Sequence, residues 1–180
     1  NAADEITTGA ENTAIGYRSM ASTTTSSYNT AVGSDSLRTN ATGTNNTAVG
    51  YSALVLNTAS YNSAFGYNAL ELNSSGERNT GLGRTALEVN TTGSYNTAVG
   101  MAALEANTTA DNNTAVGYSA LVANTTGFDN TALGANTLLT NTTGDYNTAV
   151  GKNALYSATT ADYNTAVGFN ALSDDTTGTK

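Results

Sequence analysis

The chain has 180 residues and a formal net charge of -8, with no cysteine, proline, histidine or tryptophan. The missing cysteine excludes disulfides and thiolate metal sites within the chain, and an acidic chain lacks the basic footprint that nucleic-acid binding needs. No apolar run approaches the roughly 20 residues of a membrane-spanning helix, so no membrane insertion by this segment is expected.

In chain order, residues 1–11 are polar, carry Asp4, Glu5 and Glu11, and read as an N-terminal cap or linker. From Asn12 onward the pentapeptide Asn-Thr-Ala-Val-Gly, or a near variant, occurs ten times. Its first residues are Asn12, Asn29, Asn46, Asn62, Asn79, Asn96, Asn113, Asn130, Asn147 and Asn164, spaced by 17 residues with one step of 16 from Asn46 to Asn62. A period this short cannot bury a core alone and must stack on copies of itself. The expected fold is all-β: a parallel β-solenoid, or β-roll, of ten coils over residues 12–180. The last residues, from Asp174 to Lys180, read as a second cap. A chain starting at Asn1 rather than Met reads as a processed or excised piece of a longer protein.

Within each coil, Asn-Thr-Ala-Val reads as a short strand, with Thr and Val on one face and Ala on the other. The Gly that follows in every copy, including Gly33, Gly50, Gly100, Gly117 and Gly151, implies a positive φ or no room for a Cβ. A second short strand, x-Ala-Leu, is expected next. The Val column (Val49, Val99, Val116, Val150) and the Leu column (Leu54, Leu104, Leu121, Leu155) are then expected to fill the interior. Asn-Thr-Thr-Gly is turn chemistry, and the residue missing from the third coil falls there, in residues 57–60.

The columns carry the functional expectations. Asn29, Asn46, Asn96, Asn113 and Asn147 read as a ladder of stacked amides at a bend. Sharing a face with Val places the Thr column inward; outward on a flat face, its spacing would suit ice. The Ala column opposite then reads as a seam against another chain, since a face exposed by a monomer is normally polar; the alternative is a monomer in which Ala lines a second thin core layer. Tyr28, Tyr61, Tyr95, Tyr146 and Tyr163 form an aromatic stripe suited to surface or carbohydrate contact, or to packing at loop ends and seams. Glu71, Glu88 and Glu105, and likewise Asp145 and Asp162, stack like charges that read as a solvated edge, a bridging cation being the sharper alternative. Glycosylation sequons recur at Asn40, Asn73, Asn90, Asn107, Asn124 and Asn141. Catalytic residues, cofactors and metals are not expected: no nucleophile and base stand out from the repeat, and Arg78, Arg84, Phe65 and Lys152, which do depart from it, form no constellation.

At the Asn-Thr-Ala-Val-Gly-Tyr-x-Ala-Leu core the chain resembles the heads of trimeric autotransporter adhesins and the repeat shafts of phage-type tail fibres. The resemblance covers all ten coils. It implies a left-handed roll, three chains around one axis, displayed outside a cell or virion. The period of 17 is longer than the adhesin coil, and no stalk, neck, anchor or chaperone segment is recognisable.

The functional expectation is a structural or adhesive fibre segment, not an enzyme. It would be extracellular, at a cell surface or on a virion, making multivalent contact with surface glycans or a host receptor. The alternatives are an ice-binding solenoid using a Thr ladder and a self-assembling extracellular filament.

Overall fold

Each pentapeptide contributes one three-residue strand, because β-branched Thr and Val favour a pleated conformation. The computed structural model describes residues 1–178, so Thr179 and Lys180 of the expected C-terminal cap lie outside the described residues. The strands are β1 (Thr13–Ile15), β2 (Thr30–Val32), β3 (Thr47–Val49), β4 (Ser63–Phe65), β5 (Thr80–Leu82), β6 (Thr97–Val99), β7 (Thr114–Val116), β8 (Thr131–Leu133), β9 (Thr148–Val150) and β10 (Thr165–Val167). They form a single parallel sheet in sequence order. Each strand pairs with its own repeat one coil on, as Thr97 with Thr114, Ala98 with Ala115 and Val99 with Val116. This is the expected all-β parallel solenoid, and the described residues contain no helix.

The expected second strand is instead a turn. In each coil two residues after the Gly column adopt left-handed backbone, as Ala102 (φ 60°) and Leu104 (φ 52°) do in the sixth. Such conformers cost non-glycine residues about 1–2 kcal/mol each. They curl x-Ala-Leu around the interior rather than extending it. Hydrogen bonding between coils continues through the turn, since Leu104 N donates to Ala120 O at 3.0 Å and Leu121 N to Thr137 O at 3.0 Å.

The interior differs from the expected one on one face. Leu54, Leu104, Leu121 and Leu155 are fully buried as expected. Val49, Val99, Val116 and Val150 are not core residues; they point outward and stay partly or substantially exposed. Their place is taken by the Ala column, from Ala31 to Ala149, which is sealed inside each coil. The cause is width. Gly81 stands where other coils carry this Ala, and a Cβ there would meet Leu70 Cδ1 at 3.4 Å and Ala86 O at 3.1 Å. A methyl just fits between the strand and the Leu column; a branched side chain does not. The Ala stripe is therefore interior, and its reading as a seam between chains falls. The Thr column shares the outer face with Val and is not inward.

Two amide ladders run through the coils, the second confined to the column from Asn40 to Asn141, since Thr23, Ala158 and Asp175 stand there in the first coil and the last two. In the first, Asn113 N donates to Asn96 Oδ1 at 2.9 Å, linking successive coils. Asn113 Nδ2 also donates to Gly127 O at 2.8 Å, tying the start of the coil to its end. Asn29, Asn46, Asn96 and Asn147 make the equivalent inter-coil bonds. In the second ladder Asn107 Nδ2 donates to Asn90 Oδ1 at 2.8 Å and to Ala110 O at 3.1 Å. Buried amides held this way satisfy backbone groups that the tight turns would otherwise orphan. The short third coil keeps the scheme, because Ala59 O accepts from both Asn46 Nδ2 and Asn57 Nδ2 at 2.8 Å.

The Gly column needs glycine on both grounds foreseen. Gly100 has φ 134°, and a Cβ there would lie 2.4 Å from Gly117 O. Gly33, Gly50, Gly117 and Gly151 have φ between 125° and 140° and equally close backbone neighbours.

Candidate interaction surface

Because Ala faces inward, the outer face of the ten-stranded sheet presents two parallel columns. One is Thr throughout except Ser63. The other is Ile15, Val32, Val49, Phe65, Leu82, Val99, Val116, Leu133, Val150 and Val167, apolar at every position. Ile15, Phe65, Leu82, Val116, Leu133 and Val167 are exposed in the single chain. At roughly 4.8 Å per rung the strip is about 45 Å long and, with its flanking side chains, roughly 15 Å wide.

Tyrosines rim the coils. Tyr28, Tyr61, Tyr95, Tyr146 and Tyr163 are all exposed, so the expected stripe does reach solvent. It is broken into separate clusters. Arg78 lies between Tyr61 and Tyr95, its guanidinium carbon 5.3 and 5.4 Å from the two ring centroids, and donates to the Tyr95 hydroxyl at 3.0 Å. Tyr146 and Tyr163 stack at 4.9 Å, nearly parallel, and Phe128 meets Tyr146 edge-on. In the column after Gly, Tyr51 and Tyr67 stack at 5.4 Å. Ring faces used against each other in this way are not free to stack on a sugar.

The acidic columns have structural partners. Asp145 Oδ1 accepts from Phe128 N at 2.9 Å and Asp162 Oδ1 from Asp145 N at 2.8 Å. Ser60 and Ser94 play the same part in other coils, so this column supplies an acceptor to the coil before it. Burial raises the Asp145 carboxyl above the usual range; the Phe128 N–H opposes this, and Asp162 and Asp129 add to it. Burial likewise raises Glu71 and Glu105, reinforced by the charge of Glu88 and a hydrogen bond with it. Asp35 goes the other way. Burial would raise it, but the hydrogen bond and charge of Arg18, with Arg38, prevail and hold it low. Arg18 Nε lies 2.9 Å from Asp35 Oδ1. Among the described residues no cluster of three or more acidic side chains could hold a metal, and no pocket is present.

The six sequon asparagines sit in the second amide ladder. Asn40, Asn73, Asn90, Asn107, Asn124 and Asn141 are fully buried, with their Nδ2 atoms donating inside the coil. A folded coil has no room for a glycan there. Sequence reasoning missed the outward Thr and apolar columns because alternation assigns residues to two faces without saying which is inside. The signal that could have found them was the near-uniform small size of the Ala column. No family model matches the chain, and neither a characterised protein nor a solved structure matches it.

Proposed function

We propose that the chain is a rod-like structural segment of an extracellular fibre or adhesin, whose copies associate through the outer face of the sheet. The carrying observation is the apolar column from Ile15 to Val167. Side-chain size varies along it from Val to Phe, while apolarity never lapses. Selection for burial tolerates such changes in size; matching a lattice does not. A strip of roughly 650 Å² per chain approaches the ~800 Å² per partner of stable interfaces, and rim side chains supply the rest. The resemblance favours three parallel chains around one axis, wound left-handed, with like rungs facing each other. The role is then multivalent: repeated columns on several chains give avidity towards surface glycans or a receptor without tight single sites.

The native chain has no cysteine, so a single engineered one reports cleanly. In the parallel in-register arrangement Val99→Cys forms a disulfide between chains on mild oxidation, whereas Thr92→Cys, on an exposed loop, does not. Equal behaviour of the two variants would overturn the proposed seam.

A second reading is favoured by one observation. The Thr column faces outward in register, Thr114 opposite Thr131 and Thr131 opposite Thr148, a spacing compatible with ice binding by a monomer. It predicts thermal hysteresis that Thr97→Lys or Thr114→Lys abolishes. Phe65 and Leu82 stand against it, since they interrupt the plane near its middle.

A further inference from the structure

Two of the tyrosine clusters bring phenols of adjacent coils face to face while leaving them open to solvent. Tyr51 and Tyr67 stack at 5.4 Å with 12° between planes. Tyr146 and Tyr163 stack at 4.9 Å with 7° between planes. All four rings are substantially exposed. Both pairs sit on a backbone fixed by the inter-coil hydrogen bonds, with Asn68 N donating to Tyr51 O and Tyr163 N to Asp145 O. Holding two reactants together in this way replaces a bimolecular encounter with a step inside one chain.

We propose that Tyr51–Tyr67 and Tyr146–Tyr163 are sites of oxidative cross-linking, each pair joining its two coils through a dityrosine bond. A haem peroxidase using hydrogen peroxide is the class of oxidant required. Each phenol gives up one electron and one proton, and the resulting radical places spin on the carbon ortho to oxygen. The two ortho carbons bond, and each ring then returns its ortho hydrogen to the phenol oxygen and regains aromaticity. The net change is loss of one hydrogen from each tyrosine. One hydrogen peroxide takes up the two electrons and two protons as two waters.

The arrangement makes the reaction selective. Tyr61 and Tyr95 belong to coils two apart, with the Arg78 guanidinium between them, so their rings do not meet. Tyr17 lies against Arg18. Phe128 closes the second stack without a phenol to oxidise. The first bond would staple the short third coil to the fourth, and the second would join the segments that lead into β9 and β10. The inference does not depend on association through the sheet face, because both rings of each pair belong to one chain.

The test is treatment of the dilute full chain with peroxidase and hydrogen peroxide, followed by fluorescence and peptide mapping. The expected product has the mass of a single chain less the hydrogens lost, with bonds at 51–67 and 146–163. The second bond joins tryptic peptides from either side of Lys152. Tyr67→Phe/Tyr163→Phe, which keeps the ring stacks and so the fold, loses the dityrosine fluorescence, while Tyr61→Phe/Tyr95→Phe retains it. Absence of dityrosine in the native chain, equal yield in the two variants, or a yield that falls on dilution because the bonds join separate chains would each overturn the proposal.

Discussion

Asn141 and Ala158 occupy the same column one coil apart, and the buried Oδ1 of Asn141 has no donor because Ala158 carries no amide. One coil earlier the same atom of Asn124 accepts from Asn141 Nδ2 at 2.9 Å. Asn40 Oδ1 is orphaned in the same way, where Asn57, in the short coil, turns its Nδ2 to Ala59 O instead.

Ala158→Asn, made together with Asp175→Asn so that the new Oδ1 meets an amide donor instead of an acceptor-only carboxylate, is therefore expected to extend the ladder and stabilise the chain. At position 158 the new Nδ2 can donate to Asn141 Oδ1 and to Ala161 O, as Asn141 Nδ2 does to Asn124 Oδ1 and Gly144 O. A satisfied buried acceptor is worth about 1 kcal/mol, readable as a higher urea midpoint with unchanged slope.

Removing a rung acts in the opposite sense. Asn113→Ala leaves the N–H of Asn130 without its acceptor, while Gly127 O loses one of two donors and keeps Asn124 Nδ2. One buried group orphaned predicts a loss of about 1–3 kcal/mol in chemical unfolding.

The Gly column separates strain from crowding. A Cβ at Gly100 would sit 2.4 Å from Gly117 O, whereas at Gly168 the nearest atom, Ala171 Cβ, is 4.0 Å away. Both residues have positive φ near 130°. Gly168→Ala should lower the melting temperature by the equivalent of about 1–3 kcal/mol of backbone strain. Gly100→Ala should lower it far more or prevent folding, because backbone must move in two coils.

The glutamate stack gives stability a pH dependence. Glu71 and Glu105 are raised in the folded state, by burial first and by Glu88 next. The folded chain then holds protons that the unfolded chain has released. Stability falls as pH rises from the ordinary carboxylate value through the raised one. Glu88→Gln keeps an oxygen for Asn68 Nδ2, which donates to Oε1 at 2.9 Å, but removes the charge. Its urea midpoint should fall less steeply with pH than that of the native chain. Asp35 is held low and contributes the reverse, stability lost on acidification, so the difference between Glu88→Gln and the native chain isolates the glutamates.

Much of this was legible in the repeat. The 17-residue period set the coil, the invariant Asn and Gly columns set the ladder and the corner, and Leu104 and Leu121 marked the interior. The strand's inward face was not legible, because Val99 is more hydrophobic than Ala98 and the sequence carries no direct measure of coil width. The left-handed backbone at Leu104 was hidden too, since leucine has no preference for it and adopts it only because burial between coils compensates. The Asp145 and Asp162 column read as a charge problem, yet its role is to accept backbone N–H groups.

The most direct test of the proposed sheet-face seam is the solution mass by light scattering of the native chain and of Val99→Lys/Val116→Lys. Association through the outer face predicts a multiple of 18.2 kDa for the native chain, three in the arrangement favoured above, and a monomer for the variant. A native chain that remains an 18.2 kDa monomer at all concentrations would contradict it and leave the Thr face free for ice.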